Sequence, residues 1–209
     1  MISFSLGCFV GWIKARKDEA LWIPHATRRQ PGILRRFLSF VICVAVVLAA
    51  AWGIRAYVIE PFEVPSASME TTIMTGDRLF AEKVSYHFSD VQPGDIVVFS
   101  DPQVPSRVLV KRVIATEGQT VSMSGGVLYI DGVAQSEPYT TGETYPLSQT
   151  AGNVSISYPY TVPKGEVWVM GDNRENSSDS RYFGPIDSNT IFGKAVLIYW
   201  PLDRIGLLS

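Results

Sequence analysis

Thiols and imidazoles are nearly missing from this sequence, and their scarcity removes several common catalytic chemistries at once. Cys8 and Cys43 are its two cysteines, and Cys43 lies inside the most apolar stretch of the chain. The region beyond it therefore has no disulfide framework, no cysteine nucleophile and no cysteine-ligated zinc site. The two histidines are His25, before the apolar stretch, and His87, in Tyr86-His87-Phe88-Ser89-Asp90. A serine-histidine-aspartate triad has one candidate histidine, and a histidine-ligated metal site has too few. No metal and no cofactor are expected. No internal repeat of solenoid or propeller length is present either.

Net charge is also small, −2, but it is unevenly placed. Residues 1–36 hold seven Lys/Arg against Asp18 and Glu19, a balance of +5; the remainder holds eleven Lys/Arg against eighteen Asp/Glu, a balance of −7. A basic arm can bind nucleic acid, but no reader motif accompanies it and it abuts an apolar run, so membrane topology is the better account and no nucleic-acid partner is expected.

From Phe37 to Ile54 the chain carries no charge for eighteen residues. As a helix that run covers about 27 Å, close to a bilayer core. A buried core helix is rarely this apolar on every face, and a cleavable signal peptide begins nearer the N-terminus, so a retained transmembrane helix over 37–55 is expected. Arg28, Arg29, Arg35 and Arg36 precede it, whereas Arg55 follows alone and is soon met by Glu60 and Glu63. The positive-inside rule then places residues 1–36 in the cytoplasm and 56–209 outside it. Residues 1–13 form a second apolar patch, short for a span, which is a thin first span or an interfacial segment; Trp12 and Trp22 suit an interface.

Beyond the span, Pro and Gly recur at short intervals between β-branched and aromatic runs, which predicts a mostly β, antiparallel domain. Strands are expected over Tyr57 to Phe62, Arg78 to Lys83, Asp95 to Ser100, Val108 to Ala115, Thr120 to Ser124, Val127 to Ile130, Val167 to Met170 and Ala195 to Trp200, with Gly125-Gly126 and Asp131-Gly132 as hairpin turns. An insertion occupies about 116–165, and its polar part from Gln135 to Pro159 reads as a long loop or a loosely strand-forming segment.

With thiols, metal and almost all histidine gone, a hydrolytic site here needs a serine or threonine and another base. Lysine qualifies if burial lowers its pKa from ~10.4 by several units, and such a lysine must sit in an apolar strand. Lys111 does so, in Val108-Leu109-Val110-Lys111-Arg112-Val113-Ile114, with Leu109 and Val113 on its face. Lys83 and Lys194 lie at strand ends and Lys164 in a turn. Taken alone, Lys111 also fits an exposed strand face, and Pro65-Ser66-Ala67-Ser68-Met69 fits an ordinary turn. Gly171 to Arg181, GDNRENSSDSR, fits a polar loop whose Asp172, Glu175 and Asp179 lack EF-hand spacing. Met69, Ile73 and Met74 are expected in the core more readily than in a binding pocket.

In their order after an apolar span, PSASM, VKRVIA and GDNRENSSDSR resemble the signature boxes of bacterial type I signal peptidases. Pro93 to Phe99, PGDIVVF, and the ending from Gly193-Lys194-Ala195 to Trp200-Pro201 are similar to that family as well, so the resemblance covers about 57–201. The sequence departs from the pattern in two places. Glu70-Thr71-Thr72 stands where members often carry proline, and the stretch between Lys111 and Gly171 is short and lacks a cysteine pair, implying a reduced accessory β subdomain.

The resemblance implies a signal-peptidase-like β domain in which Ser68 is the nucleophile and Lys111 the general base. It implies an oxyanion hole made by the Ser68 N–H and the Ser66 hydroxyl, and a Ser177 hydroxyl that orients the lysine. Arg112, Asp172, Asp179 and Arg181 become structural supports of the site. The activity implied is cleavage of exported preproteins after an Ala-x-Ala site at the bacterial cytoplasmic membrane, on its periplasmic face. The partners are signal peptides and the lipid bilayer, with the export machinery as a further one. Ser68 lies thirteen residues after Arg55, so even an extended link, about 45 Å, keeps it near the bilayer. The self-cleaving SOS repressors share a Ser-Lys arrangement, but they cut upstream of the serine, whereas Ala151-Gly152 lies downstream. Two other readings stay open: a dedicated peptidase for one secreted or pilin-like substrate, and a non-catalytic anchored β domain.

Overall fold

The structure is a computed structural model and describes residues 32–152 and 154–208; the apolar patch over 1–13, with Trp12, Trp22 and the basic residues up to Arg29, lies outside them. Helix α1 runs from Ile33 to Tyr57, 25 residues with no charged side chain between Arg36 and Arg55 and no buried residue. At about 1.5 Å per residue it is long enough to cross a bilayer. It exceeds the expected 37–55 at both ends. Arg35 and Arg36 are good helix formers and donate to the Gly32 carbonyl, and Val58 N–H still bonds Ile54 O at 2.8 Å. Tyr57, expected to open a strand, therefore closes the helix, and β1 begins at Ile59 (Ile59–Glu63).

The larger sheet contains β1, β2 (Arg78–Glu82), β3 (Ile96–Ser100), β4 (Val108–Thr116), β9 (Glu166–Met170), β10 (Ile186–Asp187) and β11 (Ile191–Trp200), with β12 (Gly206–Leu207) beside β11. Its order is β1-β2-β11-β3-β4-β9-β10, with antiparallel neighbours throughout. Pro61 sits in β1 without breaking the sheet because β1 is an edge strand paired only with β2. The smaller sheet, β7-β6-β5-β8, is built from β5 (Thr120–Ser124), β6 (Val127–Ile130), β7 (Val133–Ala134) and β8 (Tyr160–Thr161). Gly125-Gly126 joins β5 to β6 and Asp131-Gly132 joins β6 to β7, each pair at positive φ as a tight type I′ hairpin demands. Between β7 and β8 the described residues form no further helix or strand.

Three apolar clusters make the core. Met69, Ile73, Val98, Val110 and Ile198 form one; Val97, Phe99, Val113, Val169 and Phe183 form the second; Trp168, Met170, Leu128 and Ile130 join the smaller sheet to the larger in the third. Met69 and Ile73 are thus core residues as expected, while Met74 is 37% exposed. β4 runs through all three clusters, which fixes the position of the residues it carries.

Candidate active site

Two segments that are far apart in sequence meet over β4. The first is Ser66 to Ile73, where Ala67–Met69 forms a single 3-10 turn that buries Ser68 and Met69. The second is the loop after β9, Gly171 to Asp179, leading into the short helix α2 (Ser180–Phe183). Asn173 holds the first segment directly: its backbone N–H donates to Ser68 O at 3.1 Å and its side-chain amide to Ala67 O at 3.2 Å. Thr72 adds a third tie, its hydroxyl donating to Asp172 Oδ2 at 2.6 Å. This threonine lies in the Glu70-Thr71-Thr72 stretch that departs from the proline pattern, and the Glu70–Thr71 peptide is cis. The closeness of the segments depends on Gly171, where a Cβ would lie 2.4 Å from the Ser68 carbonyl oxygen and 2.3 Å from Ser177 Oγ.

Lys111 extends from β4 to this junction. Its Nζ lies 2.5 Å from Ser68 Oγ and 3.1 Å from the Val110 carbonyl, and it forms no ion pair among the described residues. At 2% exposure it is the sole buried lysine among the described residues. Burial lowers its pKa to about 8; the carboxylates of Asp179 and Asp172 oppose that fall, and the Arg107 cation adds to it. Lys83 and Lys194 instead form ion pairs, with Glu60 at 2.7 Å and with Asp95 at 2.6 Å. Ser66 Oγ stands 3.3 Å from Ser68 Oγ. His87 is exposed in a separate 3-10 turn, bonded to Lys83 O, and takes no part.

Arg112, Asp172, Asp179 and Arg181 form two buried ion pairs below the junction. Arg112 grips Asp172 with Nε at 3.0 Å and Nη2 at 2.8 Å, and its guanidinium stacks 4.0 Å from the Tyr139 ring. Arg181 grips Asp179 in the same forked way, at 2.9 Å through both nitrogens. Asp179 also accepts from the Gly171 N–H at 3.1 Å, so this carboxylate pins the glycine on which the close approach depends.

The position of Ser177 differs from the role the resemblance implies. Its Oγ is buried and makes no hydrogen bond, so the Ser177–Lys111 bond is not formed in this structure. The hydroxyl sits over Gly171, beside the Ser68 carbonyl. A buried polar group without a partner is uncommon.

Sequence reasoning missed several members of the site. Arg174, 1% exposed, forks onto Glu137 at 2.6 and 2.7 Å and donates to Thr144 Oγ1 at 2.6 Å. Glu137, Tyr139 and Thr144 belong to the polar segment expected to be a loop. Among the described residues that segment holds no strand, but Thr141 bridges Asn173 and ties the segment to the loop from Gly171 to Asp179. An arginine inside an otherwise small and acidic motif was the available signal.

Ser66, Ser68 and Lys111 open into a cleft of about 400 Å³, walled by Phe62 to Pro65 on one side and Arg107 to Val110 on the other. Residues 108–111 pair with β3 along one edge, and β9 joins the other edge only from Arg112 onward. Among the described residues, no strand covers that second edge at 108–111. His, Cys, Asp and Glu side chains do not cluster in a metal-holding group among the described residues.

The family model described as signal peptidase, peptidase S26, matches residues 35–200. A protein named probable signal peptidase I-1 from Synechocystis sp. is 41% identical over 176 residues, covering 81% of this chain and 84% of its own. Signal peptidase I of Leptolyngbya laminosa is 39% identical over 187 residues, 86% of this chain and 88% of its own. A crystal structure of a signal peptidase I from Enterococcus faecalis aligns with 51% of this chain and 97% of its own at 33% identity, with a TM-score of 0.39.

Proposed function

The chain belongs to the signal peptidase family, peptidase S26, and is a membrane-anchored serine endopeptidase that removes signal peptides; from that premise we propose that Ser68 and Lys111 are the dyad that performs the cleavage. The observation that carries this assignment is the 2.5 Å contact between Lys111 Nζ and Ser68 Oγ, made by a buried lysine without a carboxylate partner. Such a lysine sheds its proton near neutrality and can serve as a base, which a salt-bridged one cannot.

In the proposed reaction neutral Lys111 takes the Ser68 proton as Oγ attacks the scissile carbonyl. The Ser68 N–H and the Ser66 hydroxyl receive the oxyanion, each such donor contributing roughly 3 kcal/mol to barrier lowering. Lys111 returns the proton to the leaving amine, and water then attacks the acyl-enzyme with Lys111 again as base. The Ser177 hydroxyl, buried and without a partner, is assigned to orient Lys111 once the lysine has moved off Ser68. Arg112, Asp172, Asp179 and Arg181 hold the two segments in register and move no proton.

Substrate binds as an added strand on the open edge of residues 108–111, against Phe62 to Pro65, with small side chains beside the cut as in Ala-x-Ala. The short tether from α1 to Ser68 supports placement of the cut at a bilayer surface. The charge asymmetry supports a cytoplasmic N-side and an extracytoplasmic catalytic domain at a bacterial cytoplasmic membrane, with lipid and the export machinery as neighbours. Detergent-solubilised protein is expected to cleave an Ala-x-Ala preprotein, while Ser68→Ala and Lys111→Ala fold and do not. Normal cleavage by either variant would remove the dyad.

A further inference from the structure

The cleft holds one cation that none of these steps uses. Arg107 directly precedes β4 and lines the cleft beside Val108 and Leu109. Its side chain is 54% exposed, yet the carboxylate that holds it, Asp101, is 1% exposed. Asp101 Oδ2 accepts from Arg107 Nε at 2.6 Å and from Nη2. Its Oδ1 accepts from the amides of Gln103 and Val104 at 2.7 and 3.3 Å. The backbone closes the same loop twice, Asp101 N–H to Arg107 O and Arg107 N–H to Val104 O, both 2.8 Å.

A carboxylate is buried at a loss unless its lone pairs are filled. Every bond Asp101 makes here restrains residues 101–107, so the guanidinium is fixed at the cleft in advance and Nη1 has no protein partner among the described residues. The other charged residues lining the cleft are Lys111 and Glu63, and Arg78 engages Glu63 at 3.1 Å.

We propose that Arg107 is a specificity-determining residue of this peptidase, meeting the substrate chain about four residues from the cleaved bond and favouring an acidic side chain there over a basic one. This rests on the reading of the cleft as the substrate site. Lys111, beside Ser68, marks the cut, and a strand added to β4 advances residue for residue, about 3.3 Å each, so Arg107 lies about 13 Å further along. The direction of the added strand decides on which side of the cut that residue falls.

The test gives the solubilised full chain a set of Ala-x-Ala preproteins with Glu, Gln or Lys placed singly at each position from six before the cut to four after. At one position about four residues from the cut, kcat/KM falls from Glu through Gln to Lys, by roughly tenfold overall, as expected for a partly exposed charge pair turned into a repulsion. Arg107→Lys keeps that ratio, Arg107→Gln brings it close to one, and Arg107→Glu reverses it. Added salt shrinks it in the unmodified enzyme. A ratio untouched by Arg107→Gln, or a flat scan while the Gln substrates are cleaved, overturns the proposal and leaves the peptidase reading standing. Failure to cleave any substrate overturns both.

Discussion

Lys111 and Arg112 are neighbours on one strand, each 2% exposed, and the protein treats their charges in opposite ways. Arg112 points to a face where Asp172 grips it with two bonds, the Gly94 carbonyl accepts a third at 3.0 Å and an aromatic ring covers it. Lys111 points to the other face, where its partners are a hydroxyl and a carbonyl and no carboxylate among the described residues pairs with it. The buried guanidinium has a carboxylate to compensate its charge; the buried ammonium has none, and burial destabilises it. Alternation along a β-strand is therefore enough to set a paired cation and an amine without a carboxylate partner one residue apart. Depth of burial does not separate them; the supply of carboxylates does.

The comparison can be broken most severely at Lys111 itself. Lys111→Arg keeps a cation but makes it one that cannot deprotonate, and signal-peptide cleavage is expected to fall by about 10⁴-fold or more in a single-turnover assay. The next largest effect lies on the other face. Asp172→Asn leaves Arg112 buried without its counter-charge and should lower unfolding free energy by about 3 to 5 kcal/mol in a denaturant titration.

Lys111→Met should do the reverse and stabilise the fold. Lowering the lysine pKa from 10.5 to about 8 on folding represents a penalty of about 3 kcal/mol, of which loss of the hydrogen bonds takes back about 1. The folded form holds fewer protons than the unfolded one between those two values, so stability of the unmodified protein rises with pH across that window. The advantage of the methionine variant is therefore complete below pH 8 and gone above about 10.5. The smallest effect is on rate: with a free-enzyme pKa of about 8, kcat/KM should rise roughly tenfold between pH 7 and 9. A profile that stays flat there, with chemistry limiting, would mean that Lys111 is not the base.

Much of this comparison was legible in the sequence, though unevenly. Lys111 stood out because it interrupts an apolar strand in a domain without thiols, and Ser68 and the supporting roles of Arg112, Asp172, Asp179 and Arg181 followed from resemblance, but not which of the four pair. The long strands were readable from periodicity. The two-residue strands β7, β8, β10 and β12 were not, since two residues carry no period. Tyr57 was misplaced because an aromatic beside β-branched residues suits a strand as well as the last turn of a helix. Glu137, Tyr139 and Thr144 escaped for another reason: polar residues in an irregular segment have no pattern until the arginines they meet are placed in space. The Ser177 hydroxyl shows the limit of resemblance, which names a partner but does not form the bond.

Gly171 carries a consequence of a different kind. The two halves of the candidate active site touch across the volume of one missing carbon atom, 2.4 Å from the Ser68 carbonyl oxygen. Alanine at this position would leave every proton-moving group in the chain and still hold them apart. Loss of activity by that route would be invisible to an inventory of functional groups, because what is lost is empty space.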